Sequence, residues 1–140
     1  ELFFMVSIGN RRGEIMSNIS KVVEVSEMRN VKMVSQLLEG ADTMLVEAGA
    51  AITEDNLEQE NIYSSQSVAI FKALQEGLDE IKGGEIARNL YNLYTYMIER
   101  IMSGFQSRDH NYVEEVRALL RKLIEGWNGM DSAVEVDAAA

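Results

Sequence analysis

The run KGGEIARNLYNLYTYMIERIM, residues 82–102, limits what this chain can fold into more than any other stretch. Two adjacent glycines break whatever precedes them. The residues that follow, up to Met102, include neither Gly nor Pro, so they read as a helix entered through a hinge. At about 3.6 residues per turn, Ile86, Leu90, Leu93, Met97 and Ile101 make one apolar stripe, and Ala87, Tyr91, Tyr94, Ile98 and Phe105 make a second beside it. A surface helix needs only one such stripe, so a two-sided helix is either central to a bundle or leaves a face for a partner. The cluster Tyr91, Tyr94 and Tyr96 favours a wet or partner-facing side, because a phenolic hydroxyl needs a hydrogen-bond partner.

The flanking sequence is helical as well. Val31, Val34, Leu38, Ala41, Leu45, Ala48 and Ile52 recur at alternating spacings of three and four, the seam of a long helix ending near Thr53. Gly40 lies next to that seam, where a missing side chain permits close helix approach. Thr53, Glu54, Asp55 and Asn56 are turn and capping residues that open a helix over 57–80. Its apolar positions Leu57, Tyr63, Ile70, Phe71, Leu74, Leu78 and Ile81 are diluted by Ser64, Ser65 and Ser67, and it stops at Gly83 and Gly84. After a short loop over 106–109, Asn111 reads as a cap with Glu114 three residues on. The last helix carries Val113, Val116, Leu119, Leu120, Leu123, Ile124 and Trp127 on one face and ends at Gly126 and Gly129.

A short helix is expected over 17–26, with Ile19, Val22, Val23 and Val25 on its apolar side. Short connections force neighbouring helices antiparallel. The fold expected is all-α: an antiparallel up-and-down bundle of three long helices plus the central two-sided helix, with the short helix in front. The chain divides into an N-terminal arm over 1–15, a helical bundle domain over 16–129 and a flexible tail over 130–140.

Composition removes several function classes. At 140 residues and 46% apolar content the chain holds one domain with a real core, and the lack of Pro favours helix over sheet. A formal charge of −10 argues against nucleic acid, which needs phosphate-neutralising Lys and Arg clusters, and against anionic membrane surfaces. The apolar start Leu2 to Val6 is preceded by Glu1 and followed by Arg11 and Arg12, the wrong charge order for a signal peptide, and it is too short to span a bilayer. With no cysteine as well, a cytoplasmic setting is expected. His110 is the only histidine and Ser107 stands three residues before it, so the Glu-x-x-His pairs of a di-iron bundle are absent and zinc is disfavoured. Neither a Ser–His–acid arrangement nor a phosphate loop can be assembled. No catalytic residues, metal or cofactor are expected, which leaves binding through grooves between helices.

The run EIKGGEIARNLYNLYTYMIERIM resembles the hallmark segment of the flagellar secretion chaperone family FliS, in which a KGGEIA-type turn leads into a helix of the form NLxxLYxYMxxRL. YVEEVRALLRKLIEGW is similar to that family's final helix, and QLLEGADTMLVEA looks like its MLYDGA stretch, with Leu38 where Tyr is usual and Glu39 for Asp. The resemblance covers roughly residues 31–128 in the expected order. The family's short N-terminal segment with Tyr and Asn is not recognisable here, and its Ser-Pro becomes Ser26 and Glu27.

The resemblance implies a cytoplasmic helical bundle that binds the disordered C-terminal segment of flagellin, prevents premature polymerisation and aids export. A disordered segment with amphipathic helices can lay its apolar faces into grooves of the bundle, losing ordering entropy as it folds. The partner-facing residues expected are Tyr91, Tyr94, Ile98, Ile101 and Phe105 on the central helix, with Leu37, Met44 and Leu45 across the groove. The alternative for each is plain core packing, and Trp127 reads as core or core edge in preference to a partner contact. A competing function is a self-associating structural or regulatory bundle that uses Leu2 to Ile8 and the heptad seam. Sedimentation separates the two, since an export chaperone is expected as a monomer or weak dimer until its partner is added.

Overall fold

The computed structural model describes residues 28–139; the arm over 1–15 and the helix expected over 17–26 lie outside the described residues. Four helices follow in order: α1 (Met28–Thr53), α2 (Leu57–Glu76), α3 (Glu80–Ser107) and α4 (Asn111–Ala139). Three-residue connections leave each helix no choice but to run antiparallel to the one before it. Among the described residues there is no strand, and the all-α antiparallel bundle is the architecture found. The helices form a ring in which α1 packs on α2 and α4, and α3 packs on α2 and α4. Contact is richest between α1 and α2 and sparsest between α3 and α4.

Local chemistry sets the reversals. At the first, Asn56 is extended and its side chain accepts a hydrogen bond from the Gln59 N–H at 3.1 Å, satisfying a donor that the first turn of α2 leaves free. Asp55 just before it adopts a left-handed φ of 57°, which short polar residues tolerate best after glycine. At the third reversal Arg108 takes φ 60°, and the Asp109 side chain accepts from the Asn111 N–H at 3.3 Å. The cap expected of Asn111 is therefore supplied by Asp109, and Asn111 is the first residue of α4.

The glycines behave differently from expectation. α2 stops at Glu76, capped by Gly77, and the chain turns at 77–79 instead of at the glycine pair. Gly83 and Gly84 fall inside α3: the Gly83 N–H bonds the Asp79 carbonyl at 2.8 Å, completing one helical turn, and Gly84 (φ 58°, ψ −131°) then kinks the helix. That backbone conformation is open to glycine and strained for any other residue. Gly126 and Gly129 do not end α4, which continues to Ala139. Gly40 lies an ordinary 3.8 Å from Ile70 when a Cβ is built on it, so it imposes no close approach. Gly104 does: a Cβ there would lie 2.5 Å from that of Tyr112, where α3 and α4 cross next to their connection.

The core draws on every helix. Leu38, Ala41, Leu45 and Ala48 of the α1 seam are buried, with Val34 and Ile52 half-buried at its edge. They meet Phe71 and Leu74 of α2, Leu90, Tyr94, Met97 and Ile101 of α3, and Tyr112, Val116, Leu120 and Leu123 of α4. Trp127 is buried as expected, and its indole N–H donates to the Val31 carbonyl at 3.2 Å, tying the end of the bundle part of α4 to the start of α1. Ser64 and Ser67, which dilute the α2 pattern, also point inward.

Candidate partner-binding surface

Gly40 faces Ile70, so Met33, Leu37, Gly40 and Met44, spaced by four, three and four, lie on the side of α1 that borders α2. Met33 is 52% exposed, while Leu37 and Met44 are half-buried. On the other flank of α2, the Gln75 amide donates to the Tyr91 carbonyl at 3.0 Å and to the Thr95 hydroxyl at 2.7 Å. Those bonds bring to the α2 side the α3 stripe Tyr91, Thr95, Ile98, Met102 and Phe105, again spaced by four and three. Tyr91 and Met102 are 42% and 48% exposed, Ile98 is buried beneath them, and Phe105 is half-buried with the Arg108 guanidinium 5.9 Å above its ring. Two apolar stripes thus flank α2, whose own surface adds exposed Leu57 and Ile62.

The residues expected to face a partner divide accordingly. Tyr91 is exposed, and Leu37, Met44 and Phe105 are half-buried on the stripes. Leu45, Tyr94, Ile98 and Ile101 are buried in the common core, the alternative that the sequence left open. Leu37 and Met44 do not stand across one groove from Tyr91, because α1 and α3 sit at opposite corners of the ring with α2 between them. Met33, Met102 and Ile62 belong to the exposed apolar surface and escaped the sequence reading. Met102 at i+4 from Ile98 and Met33 at i−4 from Leu37 were the available signals.

Polar side chains fix the helices that carry this surface. Glu60 of α2 is 1% exposed. Its carboxylate accepts from the Tyr112 hydroxyl at 2.8 Å and pairs with Arg108 at 3.2 Å. The Tyr112 hydroxyl in turn lies 2.8 Å from that of Ser64, and the Ser67 hydroxyl donates to the Ser64 carbonyl at 2.7 Å. Burial, and secondarily the carboxylate, raises Tyr112 above the ordinary tyrosine range.

Asp42 of α1, also buried, accepts two bonds from Arg117 at 2.8 and 3.2 Å and one from Arg121 at 3.2 Å. The bond to Asp42 raises Arg117 above its usual value. Between α3 and α4, Glu115 accepts from the Tyr96 hydroxyl and from Arg100 at 2.8 Å, and Arg100 also reaches Asp109 at 3.1 Å. The bonds from Tyr96 and then Arg100 hold the Glu115 carboxyl below the usual glutamate range.

These ion pairs join helix to helix or helix to the adjoining turn, and the stripes beside α2 present apolar surface that can bind a partner. Among the described residues no three His, Cys, Asp or Glu side chains gather as a metal site, and no helix is long and apolar enough to cross a membrane.

The family model "Flagellar protein FliS" matches residues 15–134. The flagellar secretion chaperone FliSB of Pseudomonas aeruginosa is 32% identical over 112 residues, 80% of this chain and 89% of that protein. The flagellar secretion chaperone FliS of Salmonella typhimurium is 35% identical over 97 residues, 69% of this chain and 72% of its own length. That of Escherichia coli is 30% identical over 109 residues, 77% of this chain and 78% of that protein.

Proposed function

Since this chain belongs to the FliS family of flagellar proteins, we propose that it is a flagellar export chaperone that binds the C-terminal segment of flagellin in the cytoplasm and keeps it from polymerising before secretion. It does so as a binding protein without catalysis, monomeric or weakly dimeric until the partner arrives. The observation that carries the reading is the apolar stripe Tyr91, Ile98, Met102 and Phe105, left partly open beside α2 on the helix that bears the family's hallmark sequence.

An amphipathic helix of a disordered partner gains by laying its apolar face on such a stripe, and a second helix can use Met33, Leu37 and Met44 on the other flank of α2. Coupled folding of this kind trades the ordering entropy of the segment for buried apolar area. Isothermal titration of the chain with a flagellin C-terminal peptide tests it. One-to-one binding with a large negative heat-capacity change is expected, and no heat at several temperatures with a folded bundle rejects the reading.

A further inference from the structure

Tyr94 is 1% exposed, its ring stacked on Phe71 of α2 at 6.2 Å and an interplanar angle of 29°. A buried tyrosine ordinarily finds a partner for its hydroxyl, and Tyr112 finds two, in Glu60 and Ser64. The Tyr94 hydroxyl has none among the described residues, and burial alone acts on its ionisation. Phenylalanine fills the same ring volume without leaving a polar atom unmatched, so Phe at this position is expected to make the free bundle more stable than Tyr does. Tyr94 lies three residues after Tyr91 and four before Ile98, in the layer directly beneath the α3 stripe. The helix carrying it is joined to α4 by the sparsest packing in the ring, and is hinged at Gly84.

We infer that the Tyr94 hydroxyl, unmatched among the described residues, is a partner-sensing group that is given a hydrogen bond when a flagellin helix docks on the Tyr91–Phe105 stripe and shifts α3. The inference rests on the function proposed above. A penalty present only in the free state and a bond present only in the bound state both favour docking, so one atom couples core stability to occupancy.

The test compares the full chain with Tyr94→Phe, and with Tyr112→Phe as a control whose hydroxyl is already matched. Urea unfolding is measured without partner, and titration is made with the flagellin C-terminal peptide. Tyr94→Phe is expected to raise the unfolding midpoint and weaken the peptide about tenfold, the factor that one buried hydrogen bond commands. Tyr112→Phe is expected to lower the midpoint and leave affinity within about twofold. A lower midpoint for Tyr94→Phe overturns the inference, because the hydroxyl is then already bonded in the free protein, to an internal water for instance. Equal peptide affinity of Tyr94→Phe and wild type also overturns it while the function stands. A wild type that does not bind flagellin overturns the function and this inference together.

Discussion

Tyr91 and Tyr112 show how the same side chain serves opposite ends. Tyr91 is 42% exposed above the α3 stripe, and among the described residues its main-chain carbonyl accepts from the Gln75 amide. Tyr91→Asp is therefore expected to weaken flagellin-peptide binding by about tenfold or more, as loss of an aromatic anchor does, while the thermal midpoint stays within about 2 °C of wild type. Tyr112 holds together a buried carboxylate and a serine. Tyr112→Phe is expected to destabilise the bundle by about 1–3 kcal/mol, read from urea unfolding.

Ionisation separates these networks by pH. Tyr112 and Tyr94 have folded values above the ordinary tyrosine value, so the fold favours their protonated forms. Their contribution is intact below about pH 10 and is lost as pH rises beyond it, so the alkaline fall in thermal midpoint is expected to be shallower in Tyr112→Phe. Glu115, held below its ordinary value, acts in the opposite sense: its contribution is present above the usual glutamate range and lost as pH falls through the lowered value. The acid limb of the same profile is expected to flatten in Glu115→Gln.

At the scale of the element, glycine means different things in different helices. Gly84 has a φ of 58° with nothing within 4 Å of a built Cβ, so a substitution there meets backbone strain and no clash. Gly104 is the reverse, helical but pressed on Tyr112. Gly84→Ala is expected to cost about 1–3 kcal/mol through strain. Gly104→Ala is expected to cost a similar ~1–3 kcal/mol through overpacking. A Tyr112→Ala background relieves the second cost and leaves the first, which a double-mutant cycle in urea measures.

The sequence made the α1 seam, the α3 stripes and the α4 face legible because each follows helical periodicity within one element. It marked the glycine pair as a break without saying that the chain reverses earlier, at 77–79, since a single helical turn between two breaks is too short to show a period. Inward Ser64 and Glu60 were illegible for a different reason: the hydroxyl that satisfies them sits on Tyr112, in another helix. The stripes were half legible, as apolar spacing marks a face without saying which neighbouring helix covers it. For Leu45, Tyr94, Ile98 and Ile101 the cover is the bundle itself.

For the whole molecule, closure of the ring depends on how the first helix meets the last. Asp42 holds Arg117 and Arg121, and Trp127 holds the Val31 carbonyl, so α1 and α4 are joined at two levels by bonds spanning most of the described chain. Asp42→Asn is expected to destabilise the bundle by about 1–3 kcal/mol without altering peptide affinity, since neither apolar stripe borders α4. Matched urea and titration experiments check both halves of that statement.

The pairing of Trp127 with Val31 also means that the backbone enters and leaves the four-helix ring at the same pole, the one bearing the 77–79 turn. The order of helices around the ring is therefore independent of where the polypeptide starts. A circular permutant opened at 54–56, with α4 spliced to α1 by a flexible linker, keeps all four helix interfaces and both stripes. It gives α2 a free amino end, and with it a place to attach a reporter beside the surface on which cargo is expected to fold.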